Sequence, residues 1–227
     1  MTEANAARMP YLRQVLITAL ILLLFAVIGT GMVAFTFDVT APTIEANARA
    51  ELLANLHRLI PPEMHDNDLA TDVIQVQDPN LLGTSAPVDV YRARLNGEPT
   101  GLVLAPVAPD GYSGPIRLLV AIKTDGTLAG VRVTQHRETP GLGDYVQADR
   151  SDWILGFSGR SLQDPPERLW AVKRDGGVFD QFTGATITPR AVVKAVKKSL
   201  IYFERHRERL FAPIEPVAAA APSVGEP

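Results

Sequence analysis

Residues 116–135 read IRLLVAIKTDGTLAGVRVTQ, and this stretch decides the expected fold of the second half of the chain. Apolar residues lie on both sides of a central TDGT segment, whose Asp-Gly pair is typical of the turn in a β-hairpin. The pattern therefore predicts two antiparallel strands, residues 116–123 and 128–135. A lone hairpin is only marginally stable in water, so further strands are expected beside it.

A second hairpin is expected upstream of the first. Residues 88–95 and 101–107 are strand-like and flank Asn96-Gly97, a favoured pair for a tight turn. A turn-rich segment, residues 109–114, separates the two hairpins. Successive hairpins build an antiparallel meander, so the predicted class is α+β rather than a doubly wound parallel sheet.

Helical segments are predicted on both sides of the strands. Residues 43–60 carry apolar side chains at helical spacing, and the following Pro61-Pro62 pair should end that helix. Thr188-Pro189 predicts the start of the last helix, with Thr188 as the N-cap residue. Residues 63–86 give no clear prediction. The Pro/Ala-rich residues 212–227 predict a disordered tail.

The N-terminal region contains a run of 23 residues, 15–37, without charge or proline. A helix of that length spans about 34 Å, enough to cross a bilayer core. A cleavable signal peptide has an apolar region of only about 7–15 residues, so an uncleaved anchor is predicted. Arg8 and Arg13 precede the run, whereas Asp38 and Glu45 follow it. By the positive-inside rule, residues 1–14 should be cytoplasmic and the remainder exported.

Composition excludes several kinds of chemistry. The chain has no cysteine, which rules out disulfides, thiolate catalysis and iron–sulfur ligation. The net charge is -3, and nothing suggests the clustered basic face of a nucleic-acid-binding protein. His136 and Glu138 have no third ligand nearby in the sequence. Residues 65–68 (HDND) lack the spacing of a calcium loop and are predicted to form a surface turn, so no metal site is expected.

Residues 180–186 read DQFTGAT and stand directly before the predicted last helix. A helix N-terminus favours a phosphate, and Gly184 and Ala185 leave room for a bulky group to approach the backbone. The same residues can equally form an ordinary strand-to-helix turn. Spacing alone leaves both interpretations open.

Two motifs give the chain a resemblance to the FMN-binding domain family. DQFTGAT resembles the flavinylation motif of that family, D-x-x-(S/T)-G-A-(T/S), and residues 136–143 (HRETPGLG) resemble its H-x-E-T-P-G-L-G segment. Residues 111–116 (GYSGPI) and Asp125-Gly126 are also similar. With the N-terminal anchor included, the chain most resembles the G subunits of Rnf-type ion-translocating electron transport complexes.

The resemblance implies a division of the chain and a set of site residues. Residues 15–37 would be the membrane helix, 38–86 a connecting helix and linker, and 87–211 the FMN-binding domain. FMN would be bonded covalently to the Thr186 hydroxyl through a phosphodiester made by a flavin transferase. The implied contacts with the phosphate and the flavin are Thr183, Gly184, Ala185, Glu138, Thr139 and Leu142. Asp180 would belong to the recognition pattern of the transferase.

The implied function is electron carriage within a multisubunit translocase of the bacterial inner membrane, without stand-alone catalysis. The main domain would be periplasmic, and the expected partners are the other membrane subunits, the flavin transferase and the lipid bilayer. One alternative is the related C subunit of a sodium-translocating NADH:quinone reductase. Another is a non-redox, membrane-anchored assembly module with an incidental TGAT turn.

Trp153 and Trp170 are expected to be core residues rather than flavin contacts.

Overall fold

A computed structural model describes the backbone of residues 3–212 and the side chains of residues 13–212. The predicted disordered tail, apart from Ala212, lies outside the described residues. The chain divides into two compact units, the first ending at Leu52 and the second beginning at Leu53.

The first helix, α1, runs from Glu3 to Leu59 without interruption. It includes both the predicted membrane span and the predicted helix of residues 43–60, and it ends before Pro61-Pro62 as expected. Among the described residues it is the one helix long and apolar enough to cross a membrane. Large apolar side chains between residues 15 and 37 are exposed on all sides of α1, as a lipid-facing helix requires.

Six antiparallel strands form a single sheet in the second unit. They are β1 (Val73–Val76), β2 (Val88–Leu95), β3 (Glu98–Leu104), β4 (Val107–Ala108), β5 (Ile116–Lys123) and β6 (Leu128–Gln135). The strand order is β1-β2-β3-β5. β3 pairs with the end of β5, and β4 pairs with its start, at Ile116 and Arg117. β6 pairs with the edge of β5 that faces away from β3. The predicted antiparallel α+β class is confirmed.

Three of the four predicted strands have the predicted bounds, namely β2, β5 and β6. The Asn96-Gly97 turn is also confirmed, because φ is positive at both residues (53° and 82°), as a type I′ turn requires. The strand expected at residues 101–107 is instead β3 followed by β4. Pro106 lies in the break and has no N–H to donate, although its carbonyl accepts the Leu118 N–H at 3.0 Å.

The second unit also contains the last helix, α3 (Ile187–Phe211), the short helix α2 (Pro79–Leu82) and several short 3-10 helices. Through Val192 and Val196, α3 shares one hydrophobic core with alternate residues of the strands, including Leu118 and Val120. On the opposite face of the sheet, the Leu59 side chain lies against Gly130, where an added Cβ would be only 2.9 Å from it. The sheet is therefore covered on both faces.

The two tryptophans have different degrees of burial. Trp170 is buried, and its indole N–H donates to the Ser161 carbonyl at 2.9 Å, which confirms it as a core residue. Trp153 is half-buried at the edge of the core and packs edge-to-face on Phe157, with ring centroids 5.3 Å apart. Its indole N–H donates to the Asp180 carbonyl at 2.8 Å.

A cluster of three charged residues holds the C-terminal end of α3. Asp72 accepts from Nε of Arg92 at 2.6 Å and from Nε of Arg94 at 2.9 Å. Arg92 is only 2% exposed, and its Nη1 donates to the Ala212 carbonyl at 2.6 Å, while Arg94 donates to the Phe211 carbonyl at 3.4 Å. The last carbonyls of a helix lack partners within it, so these two guanidinium groups satisfy them.

The segment of residues 65–68 is only partly the surface turn that was predicted. Asp66 and Asp68 are exposed, but Asn67 is half-buried and bonds to the strand β2. Its side chain donates to the Arg92 carbonyl and accepts from the Arg94 N–H, both at 2.9 Å. The amide can replace a strand neighbour at this point because it both donates and accepts.

Candidate functional site

The start of α3 differs from the prediction. The helix begins at Ile187, with Thr186 as its N-cap residue, so the prediction of Thr188 as the N-cap is wrong. Thr188 lies in the first turn and is only 1% exposed. Its hydroxyl donates to the Glu138 carboxylate, a partner 50 positions away that local sequence patterns do not reveal.

Thr186 occupies the N-cap position without capping the helix. Its backbone is helical (φ -71°, ψ -26°), and its side chain makes no capping hydrogen bond within the described helix. An N-cap oxygen normally accepts from the second or third helical N–H, and the third residue here is Pro189, which has none. The Thr186 hydroxyl also accepts nothing from the second helical N–H, that of Thr188, so it is not used in capping. The N–H groups of Ile187 and Thr188 also lack acceptors inside the helix.

The DQFTGAT segment forms a tight turn before α3. The Ala185 N–H donates to the Phe182 carbonyl at 3.1 Å, and Gly184 has a φ of 83°, as the third residue of a type II turn requires. Thr183 lies exposed in this turn. Phe182 packs edge-to-face against Trp153, with ring centroids 5.3 Å apart, and this contact fixes the turn on the domain.

Asp180 lies at the other end of the same segment and is solvent-accessible. Its carboxylate pairs with Nζ of Lys173 at 2.5 Å, and both side chains are more than half exposed. An exposed ion pair of this kind contributes little to stability. The Asp180 side chain is thus available to an external partner.

The HRETPGLG segment follows β6 and turns back towards the start of α3. The Thr139 carbonyl accepts from the N–H groups of Leu142 at 3.1 Å and Gly143 at 3.0 Å. The exposed Leu142 side chain lies next to Gly184, where an added Cβ would be 3.7 Å from it. Two motifs separated by some forty residues are thus in contact.

Glu138 joins three segments of the chain. It is only 4% exposed, and its Oε1 accepts from the Ser113 N–H at 3.0 Å while its Oε2 accepts from the Thr188 hydroxyl. Gly143 makes room for this arrangement, since an added Cβ there would lie 2.8 Å from the Glu138 Cβ and 2.9 Å from the Thr188 Oγ1. Glu138 is therefore a buried connecting residue rather than a solvated turn residue.

These segments enclose a cavity of about 380 Å³. The predicted site residues that line it are Glu138, Thr139, Leu142, Gly184, Ala185 and Thr186. Within the described part of the chain, the predicted site residues Thr183 and Asp180 are not among the lining residues. The lining residues that the sequence prediction missed are Tyr112, Gly143, Ile187 and Thr188. Only the GYSGPI resemblance gave any sign of Tyr112.

Among the described residues, none that lines the cavity carries a positive charge, and the nearby cations of α3 are paired elsewhere. Arg190 forms a bidentate ion pair with Asp175, through hydrogen bonds of 2.6 and 2.9 Å. These bonds lower the pKa of the Asp175 carboxyl and raise the pKa of Arg190. Lys194 pairs with Asp110 at 2.5 Å and lowers the pKa of that carboxyl in the same way. An anion in the cavity would depend on the N–H groups and dipole of α3.

Comparison with known proteins gives two family matches along the chain. Residues 6–59 match the RnfG N-terminal region, and residues 111–201 match the FMN-binding domain. A protein of Pseudomonas aeruginosa, named as the G subunit of an ion-translocating oxidoreductase complex, is 49% identical over 203 residues, covering 89% of this chain and 95% of its own. The chain belongs to this G-subunit family.

Other members of the G-subunit family are similarly close. A relative in Shewanella loihica is 48% identical over 87% of this chain and 93% of its own, and one in Vibrio cholerae is 48% identical over 84% and 91%. Both are likewise named as G subunits of ion-translocating oxidoreductase complexes. The family assignment confirms the resemblance predicted from the two motifs. The FMN-binding match covers every residue that lines the cavity.

Proposed function

We propose that this member of the G-subunit family is an electron carrier in a membrane oxidoreductase complex, with FMN bonded through its phosphate to the Thr186 hydroxyl. One observation carries the proposal. Thr186 lines the cavity at the start of α3, and its hydroxyl is not used to cap the helix.

The residues around the cavity fit such a cofactor. The volume of about 380 Å³ is within the usual range of ligand pockets. A phosphodiester keeps one negative charge, which the free N–H groups of Ile187 and Thr188 and the dipole of α3 can stabilise without a cationic side chain. Gly184 and Ala185 add little bulk beside it. When bound, FMN supplies one- and two-electron redox chemistry.

The covalent step is a transfer of the FMN part of FAD by a flavin transferase. A bond forms between Oγ1 of Thr186 and the phosphorus of FMN, the bond joining the two phosphates of FAD breaks, and AMP leaves. The hydroxyl proton passes to solvent. Because Asp180 and Thr183 are exposed, we assign both to recognition by the transferase, and Thr183 is not assigned to the phosphate pocket.

The remaining roles follow from position along the chain. α1 would anchor the protein in the lipid bilayer, with Arg8 and Arg13 in the cytoplasm and the FMN-binding domain in the periplasm. Electrons would pass through the domain between other subunits, and those subunits would couple electron transfer to ion movement. Thr139 and Leu142 would lie against the flavin, and Glu138 would hold the pocket together.

The proposal predicts how the wild type and two variants at position 186 behave when each is expressed with a flavin transferase. The wild type should gain the mass of one FMN less one water, and Thr186→Ser should do the same because it keeps the hydroxyl. Thr186→Ala should gain nothing, yet its stability should change by no more than about 1 kcal/mol, since no capping bond is lost. Intact-mass measurement and denaturant unfolding test these expectations.

The position of attachment is read from one tryptic peptide, residues 175–190, which contains all three candidate threonines. FMN on Thr183 or Thr188, or FMN persisting in Thr186→Ala, would refute the assignment. Omission of the transferase is the control, because the chain should then remain unmodified.

A further inference from the structure

Tyr112 is a large side chain at the cavity with an unusual degree of exposure. It is 69% exposed, and it lines the cavity together with two other exposed apolar residues, Leu142 and Ile187, each 44% exposed. An aromatic ring left in water forfeits most of its hydrophobic stabilisation. Exposed apolar side chains grouped around a cavity mark a surface that a ligand or partner covers.

The segment that carries Tyr112 is held in place by its neighbours on both sides. Before it, Gly111 leaves no room for a side chain, since an added Cβ would lie 2.2 Å from the Gly114 carbonyl oxygen and 3.0 Å from Oε1 of Glu138. After it, the Ser113 N–H donates to the same Glu138 oxygen at 3.0 Å. The backbone that carries the Tyr112 ring is thus tied to Glu138.

Glu138 also connects Tyr112 to the attachment residue. Its second carboxylate oxygen accepts from the Thr188 hydroxyl, and Thr188 is two residues from Thr186 on the same helix start. One buried carboxylate therefore fixes both the Tyr112 segment and the start of α3. The two segments lie on one cavity.

We propose that Tyr112 is the residue against which the flavin ring of the bound cofactor packs, and that Glu138 is the positioning residue that holds Tyr112 there. A flat, largely apolar ring system pairs well with an aromatic side chain at a fixed site. This inference rests on the proposed attachment of FMN to Thr186, but it concerns the other end of the cofactor.

Flavin fluorescence tests the contact directly, because a tyrosine touching an excited flavin quenches it by donating an electron, whereas leucine cannot. Full-length Tyr112→Leu, loaded with FMN, should fluoresce several-fold more per covalent flavin than the wild type. Tyr112→Phe keeps the ring but donates poorly, so it should also fluoresce more. Tyr145→Leu is the matched control, because Tyr145 is 40% exposed nearby without lining the cavity, and its fluorescence should be unchanged.

The positioning role is tested with two Glu138 variants. Glu138→Gln keeps an oxygen for the Ser113 N–H and gains an amide that can donate to the Thr188 hydroxyl, so quenching should persist. Glu138→Leu loses both bonds and should approach the fluorescence of Tyr112→Leu. Equal behaviour of the Gln and Leu variants would refute the positioning role.

Covalent FMN on the 175–190 peptide is measured first in every protein, which separates this inference from the proposed function. A wild type without FMN on Thr186 refutes the proposed function, and the Tyr112 contact with it. FMN on Thr186 with unchanged fluorescence in both Tyr112 variants refutes the Tyr112 contact alone.

Discussion

At the scale of single residues, two threonines on the same helix start have opposite environments. Pro189 offers no N–H to the Thr186 side chain, and that side chain makes no capping bond to the second helical N–H either. Glu138 accepts the hydroxyl of Thr188, which is buried. The two hydroxyls differ because Thr188 has a distant acceptor in Glu138, whereas Thr186 makes no capping bond to its own helix.

Thr188 should therefore contribute to stability through Glu138 rather than through capping. Thr188→Ala would leave a buried carboxylate oxygen without its donor, and the free energy of unfolding should fall by about 1–3 kcal/mol. Thr188→Ser keeps the hydroxyl and should lose about 1 kcal/mol or less, the contribution of one methyl group. Urea unfolding of the full-length proteins measures the difference, and both should retain FMN. Equal destabilisation would show that the hydrogen bond contributes nothing.

At the scale of elements, the sequence predicted what local patterns control. β2, β5 and β6 were found at their predicted bounds because alternating apolar residues and Asn-Gly or Asp-Gly turns are local signals. β1 was missed because it has only four residues and depends on pairing with β2. The wrong helix start has the same origin, because the bond of Thr188 to Glu138 spans 50 positions.

The candidate site shows the same limit. Both motifs were predicted from the sequence to contribute site residues, and residues of both line the same cavity. Spacing could not reveal that Glu138 is buried, because its partners Ser113 and Thr188 come from two other segments. Nor could it reveal that Tyr112 lines the cavity, since an aromatic residue in a turn-rich segment has no distinctive pattern.

The first turn of α3 also carries an exposed ion pair, Arg190–Asp175, whose small contribution to stability should depend on pH. Arg190 lowers the pKa of the Asp175 carboxyl below its ordinary value of 3.8. In the unfolded chain, Asp175 binds its proton at a higher pH than it does in the folded protein. The ion pair therefore stabilises the fold at pH values above 3.8. This stabilisation is lost as pH falls through the lowered pKa. Arg190→Gln should therefore destabilise the protein near neutral pH and match the wild type in strong acid.

Thermal unfolding across that pH range measures the expected convergence. The effect should be small, because both side chains are exposed to solvent. In an Asp175→Asn background, Arg190→Gln should change nothing at any pH. A pH-independent difference between Arg190→Gln and the wild type would mean that Arg190 acts through packing instead.

At the scale of the whole molecule, α1 and the FMN-binding domain serve different environments. The apolar part of α1 suits lipid, whereas the second unit has its own core and a sheet covered on both faces. One family match, residues 6–59, covers nearly all of α1 and extends seven residues into the second unit, and the other, residues 111–201, lies wholly within the second unit. The membrane anchor and the cofactor domain are thus separate parts of one chain.

The orientation across the membrane is a prediction at this scale. Arg8 and Arg13 should keep the N-terminus in the cytoplasm, so a reporter enzyme fused after Phe211 should be active only if it works in the periplasm. Alkaline phosphatase and β-galactosidase fusions give opposite expected signals, active and inactive respectively. The reverse pattern would contradict the proposed orientation and the periplasmic site of FMN attachment.

The fixing of α3 at both ends has a consequence for motion. Its first turn is held through Glu138 and Asp175, and its last carbonyls are held by Arg92 and Arg94. Sliding α3 by one turn along its sheet, as helices do in some switching proteins, would break the contacts at both ends. A group bonded to the start of α3 would therefore move only together with the whole second unit. If such a carrier serves two partners in turn, its turnover should slow as solvent viscosity rises.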